Sequence, residues 1–229
     1  MSNHATTGSS NPLQRGLLVD ADMIILGGMD LFFEASKSRL ATEKVKIDQH
    51  LFLRHIFGRP LVRGLSALFE KDGKHDVAAI AADCTAAYLA ALQGVAIKSS
   101  DGLQTLMQEA AERSVKVVLV TQLPDEAAKQ VFSGLLGEHT TTITENPSTT
   151  CVYGWENWRR ACRKAQLRER LCVAVASPAS SRGALAAAMR VVTLANPLQE
   201  FIDCSGVDMM TDGFPPAVRA SVMGLLKLT

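Results

Sequence analysis

The stretch Gly16-Leu-Leu-Val-Asp-Ala-Asp-Met-Ile-Ile-Leu26 decides the fold. It is an apolar run interrupted only by two aspartates, the pattern of a central parallel strand buried on both faces; a half-exposed strand would alternate instead. Asp20 and Asp22 then sit at the carboxyl end of that strand. Further runs of this kind occur at Val115 to Val120, Leu171 to Val175 and Arg190 to Leu194, and each follows an amphipathic helical pattern at αβ spacing. The repetition predicts an α/β fold built on a doubly wound, Rossmann-like parallel sheet.

Between Asp30 and Ala96 the pattern turns helical. Apolar residues recur at three and four spacing through Leu51, Leu53, Ile56, Leu61, Leu65, Leu68 and Phe69, and an Ala-rich stretch from Ala78 to Leu92 continues the series. The region reads as a helical bundle inserted after the first strand. The expected organisation is therefore a core over residues 16–29 and 97–229, with a cap over 30–96. The chain re-enters the core near Gly94 to Asp101, where Lys98-Ser-Ser-Asp101 resembles a helix start. Residues 1–15 are expected to form a disordered tail; the Ser/Thr/Asn-rich opening has no basic stretch leading into an apolar one, so it is not read as a secretory signal.

Charge and cysteine usage narrow the partners. Lys plus Arg total 24 against 23 for Asp plus Glu, and a net charge of +1 supplies no broad field to hold nucleic acid or acidic lipid. A small molecule or a protein is the better expectation. No uninterrupted apolar run reaches the roughly 18 residues of a membrane helix, so no membrane partner is expected. Five scattered cysteines without a C-x-x-C pair point to buried thiols in a reducing cytoplasm.

Ligands of open parallel sheets bind outside the carboxyl ends of the strands. The first such end carries Asp20 and Asp22, a nucleophile and acid/base pair if one carboxylate accepts a phosphoryl group while its neighbour protonates the leaving oxygen. The plainer reading is that one caps the next helix and the other is solvated. The second end reads Leu119-Val-Thr121-Gln-Leu-Pro-Asp125, where a hydroxyl and the backbone N–H groups of a helix start suit a phosphate, or where Thr121 is simply a cap. His50, His55 and His75 fall in the cap without metal-ligand spacing. Trp155, Trp158 and the basic run Arg159 to Arg170 form one amphipathic helix with Trp158, Ala161 and Ala165 inward, rather than a platform for nucleic acid.

The order of these pieces, Val19-Asp-Ala-Asp22, an all-helical insert, then Val117-Val-Leu-Val-Thr121, resembles the haloacid dehalogenase-like superfamily. Gly58-Arg-Pro60 falls where phosphoglucomutase-like and phosphoglycolate phosphatase-like members have a cap glycine motif, and the segment from Trp158 to Val192 is similar to that subgroup. The resemblance implies a phosphatase-type hydrolase acting on a small phosphorylated metabolite. Asp20 would form an aspartyl-phosphate and Asp22 would serve as acid/base. Thr121, Gln122, Ser177, Ser180 and Arg59 would line the phosphate and substrate site, and Asp20 and Asp22 would hold Mg²⁺.

The chain departs from that pattern in three places, the first being Met23 where a glycine usually follows the second aspartate. Where the family has an acidic pair before Ser-Pro-Ala-Gly, it reads Val175-Ala176-Ser177-Pro178-Ala179-Ser180; the family lysine has no counterpart in Cys151-Val-Tyr-Gly-Trp155, with Lys129 and Arg182 as the substitutes to examine. Two expectations follow: a weakened hydrolase that binds Mg²⁺ poorly, or an inactive member, a pseudoenzyme, that binds a metabolite or a protein.

Overall fold

The computed structural model describes residues 14–69, 75–97, 101–147 and 149–228. Nearly all of the expected tail, and the start proposed at Lys98 to Ser100, lie outside these residues. Strand β1 (Gly16–Asp20) is buried along its whole length. It pairs in parallel with β2 (Lys116–Thr121) on one side and β4 (Cys172–Ala176) on the other. With β3 (Thr140–Thr144), β5 (Arg190–Leu194) and β6 (Met209–Thr211) the sheet has the order β3-β2-β1-β4-β5-β6, and every pairing is parallel. This is the doubly wound α/β sheet expected from the apolar runs.

The first run is shorter as a strand than it looks in the sequence. Extended backbone stops at Asp20, and Ala21–Ile24 forms a helical turn, α1, whose amino end Asp20 caps by accepting the Met23 N–H. An apolar run does not by itself distinguish strand from buried helix, and an aspartate is among the best residues to end one and begin the other. Ile25 and Leu26 remain wholly buried, so the apolar character beyond Asp20 serves packing rather than pairing. Strands β3 and β6 were not foreseen: one is a run of threonines with a single buried isoleucine, the other a three-residue edge.

Among the described residues, every regular element between β1 and β2 is helical. Helix α2 (Gly28–Thr42) is followed by α3 (Gln49–Leu51), which continues into a π-helical turn over Phe52–Ile56, then α4 (Leu61–Ser66) and α5 (Val77–Gly94). Phe32 of α2 meets Phe52 edge-on at 5.3 Å and Tyr88 of α5 at 5.2 Å, which ties the bundle together at its centre. Helix α5 is long and apolar enough to cross a membrane by length and composition, although Asp83 and the polar residues around it kept the sequence from reading as one apolar run. Here Ile80, Ala81, Cys84, Tyr88 and Leu92 form its buried face.

In the core, α6 (Asp101–Glu112), α7 (Asp125–Val131), α8 (Trp155–Lys164), α9 (Pro178–Ala186) and α10 (Pro216–Leu228) alternate with the strands. Successive strand residues point to opposite faces of a sheet. Leu17, Val19, Val117, Leu119 and Val175 accordingly join α6 and α10 in a core that runs on into the cap bundle. Leu18, Val118, Val120, Ala174 and Ala176 pack on the other face against Trp158, Ala161 and Cys162 of α8 and Ala184 of α9. Helix α8 turns Trp158 and Ala161 inward as its pattern indicated.

Candidate active site

The carboxyl ends of β1, β2 and β4 meet beneath the cap, and the side chains found there are those of the two strand-end motifs. Asp22, in the first turn of α1, is carried toward the end of β2. Its Oδ1 accepts the Thr121 hydroxyl at 2.5 Å. Its Oδ2 accepts the Gln122 backbone N–H at 2.8 Å, the Gln122 side-chain amide at 3.3 Å and the Tyr153 hydroxyl at 2.7 Å. Asp20 accepts the Met23 N–H on Oδ1 and the Ser177 hydroxyl on Oδ2, each at 3.3 Å. Both carboxylates have 0% exposure, as has Thr121.

Ser177 begins the loop after β4 and caps α9. Ser180, also buried, supports the neighbouring loop instead of standing free: its Oγ accepts the Tyr153 N–H and its carbonyl accepts the Trp158 indole N–H, each at 3.2 Å. Gly183 allows this approach, since a Cβ there would collide with the Tyr153 carbonyl. Gln122 is mostly buried at the end of β2. Arg59, by contrast, is exposed on the cap loop after the π-helical turn.

Burial sets the electrostatics. Removal from water pushes the Asp20 carboxyl up from 3.8 to about 7, and the Asp22 charge adds to the rise, while bonds from Ser180, Met23 and Ser177 oppose it. Burial also raises Asp22, against the donors from Thr121, Tyr153 and Gln122. Because Thr121, Tyr153 and Gln122 all donate to Asp22, it is the better-supported anion of the pair. The proton shared near neutrality belongs on Asp20.

The residues do not fit a Mg²⁺ site. A hard cation of this kind needs several converging oxygen ligands and surrenders its water reluctantly. Both Asp22 oxygens already accept hydrogen bonds. Val175 and Ala176, where the sequence resemblance implied an acidic pair, are wholly buried and apolar. Among the described residues no group of three His, Cys, Asp or Glu side chains is arranged to hold a metal. Asp208 is committed elsewhere, pairing with Arg190 at 2.8 Å and accepting the Val191 N–H where β5 begins.

Neither substitute for the lysine reaches the pair. Lys129 is exposed and bridged to Glu126 at 2.8 Å. Arg182 is exposed. Among the described residues no lysine or arginine forms an ion pair with Asp20 or Asp22.

Three side chains that sequence reasoning passed over fill the space instead. Tyr153 comes from the segment searched for a lysine, and it presents an uncharged donor. Cys151, two residues earlier, is buried with its thiol pushed well up, by burial first and then by Asp20. Tyr88 enters from the cap, wholly buried, and among the described residues its hydroxyl has no hydrogen-bond partner of good geometry. Burial and then the Asp22 charge hold its ionisation far above the ordinary phenol range. Tyr88 sits over Gly28, where a Cβ would lie 2.7 Å from its hydroxyl and 2.8 Å from the Asp22 carbonyl. Only a glycine lets the cap helix come this close. A lone aromatic residue in an Ala-rich helix was the available signal for Tyr88.

No protein-family model and no curated protein matches this chain. Its fold does match solved structures. CbbY from Rhodobacter sphaeroides, in complex with xylulose-(1,5)bisphosphate, superposes with a TM-score of 0.64 at 17% identity, covering 88% of this chain and 95% of that one. The β-phosphoglucomutase from Clostridium difficile gives 0.68 at 12% identity, covering 94% and 98%. A family IA, variant 3 hydrolase of the haloacid dehalogenase group from Entamoeba histolytica gives 0.67 at 13%, covering 93% and 100%. The chain has the haloacid dehalogenase-like fold, of the kind found in phosphoglucomutase-like members.

Proposed function

We propose that this chain keeps the haloacid dehalogenase-like frame as a binding protein and does not run the aspartyl-phosphate reaction. One observation carries the reading: the two carboxylates are wholly enclosed, and Asp22 is held by Thr121, Gln122 and Tyr153 instead of being left open to a substrate. Asp20 can attack phosphorus only as an exposed anion. Two unit charges about 4 Å apart at an effective dielectric near 20 repel by roughly 4 kcal/mol, so a phosphate dianion approaching a carboxylate needs a cation to offset them. Transferred charge is ordinarily stabilised by preorganised cations and donors, and here the donors are spent on Asp22. The pair works as a buried polar anchor that draws β1, β2 and the Tyr153 loop together.

The test is phosphomonoester turnover by the full chain with Mg²⁺ and without it, beside Asp20→Asn. No turnover above background from either protein is expected. Activity in the unmodified chain that disappears in Asp20→Asn would overturn the reading.

A second reading, a weakened hydrolase of a small phosphorylated metabolite, is favoured by the convergence of Asp20, Asp22 and Thr121 at the strand ends, where such sheets form their sites. It requires the cap to lift Tyr88 away from the pair. With the proton passed from Asp20 to Asp22, Asp20 would then attack phosphorus, the ester P–O bond would break, and Asp22, freed from Tyr153, would give that proton to the leaving oxygen.

A further inference from the structure

Between cap and core, to one side of the buried pair, lies a cleft of about 500 Å³, within the usual size range of small-molecule sites. Neither Asp20 nor Asp22 lines it. Gln122 does, and forms the partition: its backbone and side-chain N–H groups hold Asp22 on one side, and the residue faces the cleft on the other. The cap wall is aliphatic. Leu61 and Val62 of α4 and Leu89 of α5 contribute to it, and alanines of α5 leave the room. Val62, 48% exposed, is among the few large apolar side chains the protein leaves in water.

The polar wall is uncharged. Besides Gln122 it comprises Asn146, Thr149 and Thr150 from the segment after β3, with Thr85 from α5; among the described residues every side chain lining the cleft is neutral. The hydroxyls are also partly committed. Thr85 donates to the Ala81 carbonyl at 2.9 Å and Thr149 to the Val152 carbonyl at 3.1 Å, so toward a guest both are left to accept. A phosphomonoester is mostly a dianion at neutral pH, an acceptor with no proton to give, and burying that charge beside neutral acceptors is costly. A hydroxyl group donates and accepts, and so suits such a wall, while the aliphatic cap covers the C–H face of a small ring or chain.

We propose that this cleft binds an uncharged, polyhydroxylated small molecule of monosaccharide size. The proposal rests on the non-hydrolytic reading above and names the kind of ligand that reading lacks. Gln122 would report occupancy to Asp22 through the two hydrogen bonds it already makes.

The experiment uses the full chain labelled with ¹⁵N and follows the side-chain amide signals of Gln122 and Asn146. Glucose, ribose and xylitol are titrated against glucose 6-phosphate and inorganic phosphate. Saturable movement of both amides is expected with at least one uncharged probe and with neither phosphate. Thr85→Val, which keeps shape and removes one acceptor, should weaken that binding by about fivefold, the worth of one ordinary hydrogen bond. The proposal is overturned if none of the three uncharged probes moves the amides, if either phosphate moves them more strongly, or if Thr85→Val leaves the affinity unchanged. Phosphatase turnover lost in Asp20→Asn would overturn the non-hydrolytic reading while leaving the amide result standing, so the two failures are distinguishable.

Discussion

Asp20→Asn should stabilise this protein, and the gain should depend on pH. The folded chain holds the Asp20 carboxyl near 7, against an ordinary value of 3.8. Between those two values the native state keeps a proton that the unfolded chain has released, so stability is full below the lower value and falls as pH rises toward the upper one. About three units at about 1.4 kcal/mol each set an upper bound of roughly 4 kcal/mol on the loss. Asparagine carries no charge and titrates nowhere in this window. Its amide oxygen can still accept the Met23 N–H, and its nitrogen can donate to the Ser177 hydroxyl in place of the present bond. Allowing for imperfect replacement, the variant should exceed the unmodified protein by about 2 kcal/mol at about pH 8 and match it near pH 4. Urea unfolding across that range, followed by far-ultraviolet circular dichroism and by tryptophan fluorescence, measures the difference directly. Destabilisation by Asp20→Asn at every pH, or a gain that does not grow between about pH 4 and about pH 7, would refute the idea that burial dominates this carboxyl.

Other outcomes follow from the same packing. Tyr153→Phe removes one donor from a buried carboxylate and should cost about 1–3 kcal/mol in urea unfolding; the cost should shrink in acid, where Asp22 is protonated in both proteins, and a pH-independent loss would mean that the ring's packing alone is being measured. Gly28→Ala forces a methyl group between Tyr88 and the Asp22 carbonyl and should cost about 1–3 kcal/mol, whereas an unchanged unfolding midpoint would show that the cap helix can shift freely. Ala176→Asp places a third carboxylate one step beyond the Val19 and Val175 pair, beside Asp20. That variant should lose several kcal/mol, on the order of 3–5, from an unpaired buried charge. Mg²⁺ should restore part of the melting temperature in the variant only. An equal rise in the unmodified protein would show a metal site already present.

The sequence alone determined the frame. Short, Val-rich runs such as Val117 to Val120 and Cys172 to Val175, each preceded by a helical pattern, favour central strands, and the three and four spacing of the cap residues favours helices; both signals are local and survive without knowledge of the partner. Asp20, Asp22 and Thr121 were legible for the same reason, because a strand end is a place that the chain's own pattern marks. Strand β3 was missed because Thr140–Thr144 is only half-buried and lacks the apolar signature. The extent of β1 was overstated because Met23 to Leu26 are equally apolar in a helical turn and after it.

Only the tertiary structure decided what the two carboxylates face. Tyr153 lies 131 residues from Asp22 along the chain and Thr121 lies 99 away. Tyr88 arrives from a separate helical bundle, admitted by the bare Cα of Gly28. Whether an aspartate is an exposed nucleophile or a buried anchor depends on the water around it and the donors within 3 Å. Those are properties of residues far apart in sequence that the sheet and cap bring into contact, and no local pattern encodes them.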